Sequence, residues 1–337
     1  MPDRPGLAGC DAPLQEAYDL AMLDLDGVVY VGPDAVPGAP DHVSAAREAG
    51  MRIAFITNNA SRPPSAVAAH LTELGVGAGE SDVVTSAQAA AQVLVERLGE
   101  GARVAVLGAE GLLEAVREAG LAVTDVEDEG AAALVTGYGP DVLWRDIMRA
   151  AVRVRDGLWW VASNTDMSIP TGYGTAPGHG VLVDTVSRFS GVEPDVAGKP
   201  ARPLLDETVR RVGGQRPLMV GDRLDTDIEG ARTAGVDALL VLTGVTGLAE
   251  LVAARPDERP TYLARDLGGL ATPHEAPEPD GDSVRLGGWA VTRGEGRLTV
   301  EGGGEADDWW RAVATAAWAH LDETGDPVTT DGLEPPR

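Results

Sequence analysis

At 337 residues with 44% hydrophobic side chains, the chain can bury a sizeable core and form about two or three domains of ordinary size, which excludes a wholly disordered protein. Its 27 basic residues against 53 acidic ones leave a formal charge of −26, a balance that repels nucleic acid and anionic membrane surfaces, so an anionic ligand has to be met by local donors or a metal. The single cysteine, Cys10, has no partner for an intrachain disulfide; with no apolar leader core and no run of roughly 18 uncharged apolar residues, the chain reads as a soluble cytoplasmic protein.

The first informative element is residues 21–30, AMLDLDGVVY, an apolar strand that breaks off into Asp24, Leu25, Asp26 and Gly27. Alternation along an extended backbone puts the Asp24 and Asp26 carboxylates on the same side. Like charges that close are tolerated when a divalent cation lies between them or when one keeps its proton. Alone, the same four residues are also an ordinary strand cap facing water. A Gly/Pro loop and a short helix over residues 41–50 follow, and then residues 51–59, MRIAFITNN, a second buried strand ending in Thr57, Asn58 and Asn59. These residues suit helix capping near Pro63, but they also fall at the carboxyl end of a strand, where open parallel sheets bind ligands.

From Ser81 short apolar runs alternate with helical stretches, DVVTSAQAAAQVLVERL, ARVAVLGAEGLLEAVREAG and AAALVTGYG, the signature of βαβ units. The glycine turn over residues 108–111 lacks the G-x-G-x-x-G spacing and reads as a plain strand-to-helix turn. Residues 157–180 form a strand ending at Ser163, Asn164, Thr165 and Asp166, then a long glycine-rich loop in which His179 reads as a solvent-exposed histidine within reach of a ligand. Lys199, followed by Pro200, belongs to an extended or turn conformation. PLMVGDRLDTDIEGARTAG repeats the opening pattern: an apolar strand ends in Asp222, and Arg223, Asp225 and Asp227 lead into a helix. Beyond Leu270, ATPHEAPEPDGD reads as a linker. Two short strands and a tryptophan-bearing helix with Trp310, Val313, Ala314 and Ala317 on one face come next, and the residues from Asp326 onward read as lacking fixed structure.

Three apolar strands therefore end in Asp24 with Asp26, Thr57 with Asn58, and Asp222 with Asp227, and Lys199 precedes the last. Carboxylates from different strands suit Mg²⁺, a hard ion that shares its shell with substrate phosphate and water. A threonine hydroxyl, backbone amides and an ammonium group suit the other phosphoryl oxygens, and a carboxylate can attack phosphorus.

In this order, DLDGVVY, ITNN, GKP and GDRLDTDI resemble the four motifs of the haloacid dehalogenase (HAD) superfamily, in its phosphatase branch with an α/β cap inserted between the second and third motifs. The resemblance implies an α/β fold: a Rossmann-like parallel-sheet core in two parts, residues 12–78 and 187–270, around a C2-type α/β cap at 79–186, then a linker at 271–282 and a small ββα extension at 283–325. It implies that Asp24 is the nucleophile and Asp26 the general acid and base, and that Thr57, Asn58 and Lys199 bind the phosphoryl group. Mg²⁺ would be held by the Asp24 carboxylate, the Asp26 backbone carbonyl and Asp222, with Asp227 behind them. Asn164, Asp166 and His179 fall where cap residues of relatives approach the leaving group. Within the branch, ITNNASRPPSAVAAHL, DVVTSAQAAA, VAGKPA and VLTGVTG resemble the actinobacterial glycerol 3-phosphate phosphatases. Relatives act on phosphoglycolate or nitrophenyl phosphate, which remain alternatives. Phospho-receiver modules also combine acids, a threonine, a lysine and Mg²⁺, but a receiver is a single uninterrupted domain, and here an insertion precedes Lys199. The expected partner is a small phosphomonoester, with neither nucleic acid nor membrane, and the tail reads as a structural or homodimer-forming appendage.

Overall fold

A computed structural model describes residues 6–336. The chain divides into two compact units, Met1–Ile53 with Gly214–Arg337, and Ala54–Gly213. The division falls inside the Arg52–Thr57 strand.

In the first unit the strands Tyr262–Ala264, Asp237–Val241, Pro217–Gly221 and Leu20–Leu23 lie side by side in that order, all parallel. Leu20, Ala21, Met22 and Leu23 are all fully buried, as expected of a parallel strand covered on both faces. Leu20 pairs with Pro217 and Leu23 with Val220, and the Asp24 N–H continues the ladder to the Val220 carbonyl at 2.9 Å. The two strands therefore stop together. The residue after each apolar run is an aspartate; the register sets Asp24 opposite Gly221, and Asp222 follows one residue further on.

The second unit holds a five-stranded, all-parallel sheet ordered Asp195–Val196, Trp159–Ala162, Ala133–Thr136, Arg103–Leu107 and Ala122–Thr124. Helices Trp144–Arg155 and His179–Ser190 pack against each other beside it, over a core that includes Leu134, Ala150, Val154, Trp160, Val183 and Val186. Trp160 is buried, and its indole N–H is satisfied by the Thr136 hydroxyl at 3.0 Å. The stretch read as one long glycine-rich loop forms an antiparallel hairpin, Ser168–Thr171 with Gly174–Pro177, and then enters the helix that begins at His179.

The C-terminal extension differs from the expected two strands and a helix. Four antiparallel strands, Glu278–Asp280, Ser283–Leu286, Trp289–Arg293 and Leu298–Gly302, pack against helix Ala306–Thr324. Gly287, at φ +54°, makes the turn that splits VRLGGWAVTRG into two strands. The first of the four strands lies within the stretch read as a linker. Residues 327–336 are also placed: Val328 is buried in the same cluster as Val284, Leu286, Val291, Trp309 and Val313, and the Thr329 N–H donates to the Gly296 carbonyl at 2.9 Å. Val328, Leu333 packed against the same cluster, and that backbone bond hold a segment whose composition is otherwise that of a loose tail.

Polar contacts tie the helix to the edge strand Tyr262–Ala264 and to the 251–259 segment before it. Arg259, 2% exposed, donates two hydrogen bonds to the Asp322 carboxylate at 2.9 and 2.7 Å, with its guanidinium over the Trp318 ring. Trp318 donates to the Leu251 carbonyl, and Arg311 to the Leu263 carbonyl. Asp322→Ala leaves a buried guanidinium without its counter-ion and is expected to cost about 3 kcal/mol, measured by urea denaturation; a loss of under roughly 1 kcal/mol, the range of surface pairs, would show that the pair does not hold the helix down.

Candidate active site

In the first unit one carboxylate oxygen each from Asp24, Asp222 and Asp227 lies within 4.8 Å of the others. Asp222 and Asp227 have no solvent exposure, whereas Asp24 is half-buried. Two anions at that separation repel by about 3 kcal/mol even at an effective dielectric near 20. The donor set is all oxygen, without histidine or cysteine, and fits a hard cation such as Mg²⁺ rather than zinc.

The Asp222 and Asp227 carboxylates are aimed by backbone. The Asp227 side chain turns back from the short helical turn Leu224–Ile228, and its Oδ2 accepts the backbone N–H groups of Asp222 at 3.2 Å and Arg223 at 3.1 Å. A Cβ at Gly221 would overlap Asp227, which explains the glycine at the end of that strand. Asp222 Oδ2 accepts the Val245 N–H at 2.7 Å.

Asp26 sits in the turn after Asp24, where Gly27 takes φ +90° and donates its N–H to the Tyr30 carbonyl. Its side chain keeps solvent exposure, yet the protein packed around it removes enough water to raise the carboxyl above the usual range; the Gly32 backbone N–H opposes that shift. A carboxyl pushed that way suits an acid that must hold a proton.

In the second unit the end of the Arg52–Thr57 strand leads into a buried polar network. Thr57 is half-buried and its Oγ1 accepts the Asn59 N–H at 3.1 Å. The Asn58 side chain clasps Lys199 by its backbone: Oδ1 accepts the Lys199 N–H at 2.8 Å and Nδ2 donates to the Lys199 carbonyl at 3.0 Å and to Asp166 Oδ1 at 3.1 Å. Lys199 itself is 2% exposed. Asn164 donates to the Asn58 carbonyl at 2.7 Å and accepts the Asp166 N–H at 3.2 Å. The Asn58 and Asn164 side-chain amides are thus engaged inside the protein, whereas Asp166 remains half-buried.

His179 is buried as the first residue of helix His179–Ser190, not an exposed loop histidine. Its Nδ1 lies 2.8 Å from the Asn164 carbonyl, which requires Nδ1 to carry the proton. Burial pushes its pKa down to about 4. Sequence reasoning named Asn58, Asn164 and His179 but not these roles, because their partners lie 141, 106 and 15 residues away. It also left the 243–246 loop without a role in the site; the only local signal was a glycine-threonine run after an apolar strand.

Residues 21–122 match the family described as haloacid dehalogenase-like hydrolase, and residues 196–270 match a second described as HAD-hydrolase-like. The chain is 41% identical over 318 residues to a D-glycerol 3-phosphate phosphatase of Mycobacterium tuberculosis, covering 90% of this chain and 87% of that protein. It is 34% identical over 252 residues to an acid sugar phosphatase of Staphylococcus aureus, covering 74% of this chain and 95% of that one. The crystal structure of glycerol phosphate phosphatase from M. tuberculosis in complex with magnesium superposes with a TM-score of 0.85 at 40% identity, covering 94% of each chain. The protein belongs to the haloacid dehalogenase-like hydrolase family.

The histidine makes a pH prediction. A group whose folded pKa lies below its unfolded value stabilises the fold above the unfolded pKa, and that stability is lost as pH falls toward the folded one. For His179 the window runs from about 6.5 down to about 4, an effect of about 3 kcal/mol. The acid limb of the urea-denaturation stability curve is expected to be shallower in His179→Gln by that amount; identical limbs would show that the imidazole is not buried neutral.

Proposed function

We propose that this protein is a Mg²⁺-dependent phosphomonoesterase acting on glycerol 3-phosphate to release glycerol and phosphate. The observation that carries the reading is the 41% identity to the D-glycerol 3-phosphate phosphatase, which runs over 90% of the chain, whereas the match to the acid sugar phosphatase covers 74%. The acid sugar phosphatase likeness supports a second reading, a broader phosphatase that also takes other small esters such as phosphoglycolate or nitrophenyl phosphate.

Asp24, Asp222 and the Asp26 backbone carbonyl would hold Mg²⁺, with Asp227 behind them; when bound, the ion neutralises phosphoryl oxygen charge and the crowded carboxylates. The Asp24 carboxylate attacks phosphorus, and the P–O bond to the alcohol breaks while Asp26 delivers its proton to the leaving oxygen. Asp26, now anionic, takes a proton from water as the water's oxygen attacks the aspartyl phosphate. Phosphate leaves and Asp24 is restored. Thr57 and Lys199 donate to the phosphoryl oxygens, and Asn58 acts on them through its hold on the Lys199 backbone. Asp166, half-buried where Asn164 and His179 are buried, is the one of the three named cap residues assigned to choosing the leaving group. The cap assignment to residues 79–186 is part of the same proposal.

Among the described residues no helix is long and apolar enough to cross a membrane. The cytoplasm is the assigned compartment, where a lone Cys10 stays reduced. The assigned macromolecular partner is a second copy. Trp144, Met148 and Val152 recur at every fourth position and are exposed on helix Trp144–Arg155. The charges around them are paired, Arg149 with Asp146, Arg155 with Asp156 and Arg188 with Asp184. On a chain of charge −26, an apolar face on a helix with four arginines and one aspartate is where two like copies repel least.

Phosphate release from a panel of glycerol 3-phosphate, phosphoglycolate, sugar phosphates and nitrophenyl phosphate is expected to show highest kcat/KM for glycerol 3-phosphate and none with chelator. Asp24→Asn should be inactive with an unchanged melting temperature, and Asp26→Asn should lose ~10²–10⁴-fold in kcat; a folded, active Asp24→Asn refutes the nucleophile. In sedimentation equilibrium the wild type should be a dimer and Met148→Glu a monomer; a monomeric wild type sinks the self-association reading.

A further inference from the structure

The strand Asp237–Val241 runs into a loop that touches Asp222 at four points. The Val245 N–H donates to Asp222 Oδ2 at 2.7 Å, the Thr246 hydroxyl donates to the Asp222 carbonyl at 2.6 Å, and the Thr246 N–H reaches that same carbonyl at 3.2 Å. A Cβ at Gly244 would overlap Asp222 Oδ2. The Thr243 hydroxyl donates at 2.5 Å to the carbonyl of Gly27, in the turn that follows Asp24 and Asp26. Gly27 also lies against Asp222, since a Cβ there would overlap Oδ2 as well.

The geometry points to the 243–246 loop as a clamp that sets the rotamer of Asp222 and couples it to the Asp24–Gly27 turn, so that Oδ2 is spent on the loop and Oδ1 is the oxygen offered to the cation. Thr243, Gly244 and Thr246 are positioning residues. None of them has to touch substrate or metal. A carboxylate free to rotate could bind a cation through either oxygen or through both. Held at Oδ2 by a backbone N–H and hemmed in by two glycines, it presents one oxygen at one angle, as the near-octahedral shell of Mg²⁺ requires. The arrangement also explains a glycine at position 244 without a left-handed backbone: the space belongs to the carboxylate. Thr246, 4% exposed, spends both hydroxyl and amide on the Asp222 carbonyl and so fixes the backbone from which the side chain springs.

The inference rests on the reading of Asp24, Asp222 and Asp227 as a Mg²⁺ site. It is tested on the full-length, metal-free protein by isothermal titration with MgCl₂ and by the rise in melting temperature that Mg²⁺ produces. Gly244→Ala and Thr246→Val are each expected to weaken Mg²⁺ binding by ~10–100-fold, the range seen when groups behind a metal ligand are removed, with most of the lost kcat recovered at high Mg²⁺. Thr246→Ser keeps the donor and is expected to bind Mg²⁺ as the wild type does, which separates the hydroxyl's role from simple packing. If Gly244→Ala does not fold, the Thr246→Val and Thr246→Ser pair carries the test. Folded variants that bind Mg²⁺ as tightly as the wild type overturn the clamp alone, whereas a wild type that binds no Mg²⁺ overturns the metal site and the clamp with it.

Discussion

Crowding of like charge at the ends of two buried parallel strands is the constraint on which the first unit is built. Leu20–Leu23 and Pro217–Gly221 are held in register by their ladder, and each is followed at once by an aspartate. With Asp227 folded back over Gly221, three carboxylates converge, two of them without solvent exposure. Desolvated anions are tolerable only where cations or N–H groups compensate them. The surrounding chain answers in that way. Asp227 takes the amides of residues 222 and 223, Asp222 takes the amide of residue 245, and glycines at 27, 221 and 244 leave room where any side chain would displace a carboxylate.

The second unit meets the opposite need, holding a lysine rather than an acid. Asn58 satisfies both backbone groups of Lys199, and Asn164 satisfies the carbonyl of Asn58. Each buried amide finds partners, so the network resists rotation and keeps the lysine backbone in one place. His179 belongs to the same scaffold. Its Nδ1 proton is used on the Asn164 carbonyl, which makes it a support for that asparagine.

The C-terminal extension is bound into the first unit by a different economy of groups. A buried arginine, an indole N–H and a second arginine each reach a carbonyl or carboxylate across the junction between helix Ala306–Thr324 and residues 251–263 of the first unit. Each is a long side chain that covers apolar surface with its stem and spends its polar tip on the neighbouring element. That chemistry makes the extension part of the unit's core rather than an appendage on a tether.

Local pattern was enough to read the parallel-sheet class and the aspartates at 24, 26, 222 and 227, because an apolar strand that breaks off at a polar residue is visible in a dozen consecutive letters. It was also enough to single out Lys199, since a proline after it excludes a helix interior. Tertiary structure alone decided which oxygen of Asp222 is occupied, that Asn58 holds Lys199, that His179 is buried and neutral, and that Val328 has a place in a core. The physical reason is the same in each case. These outcomes depend on partners brought together by folding, 141 residues apart for Asn58 and Lys199 and 23 for Asp222 and Val245, and neither hydrophobic period nor turn chemistry carries information over such distances.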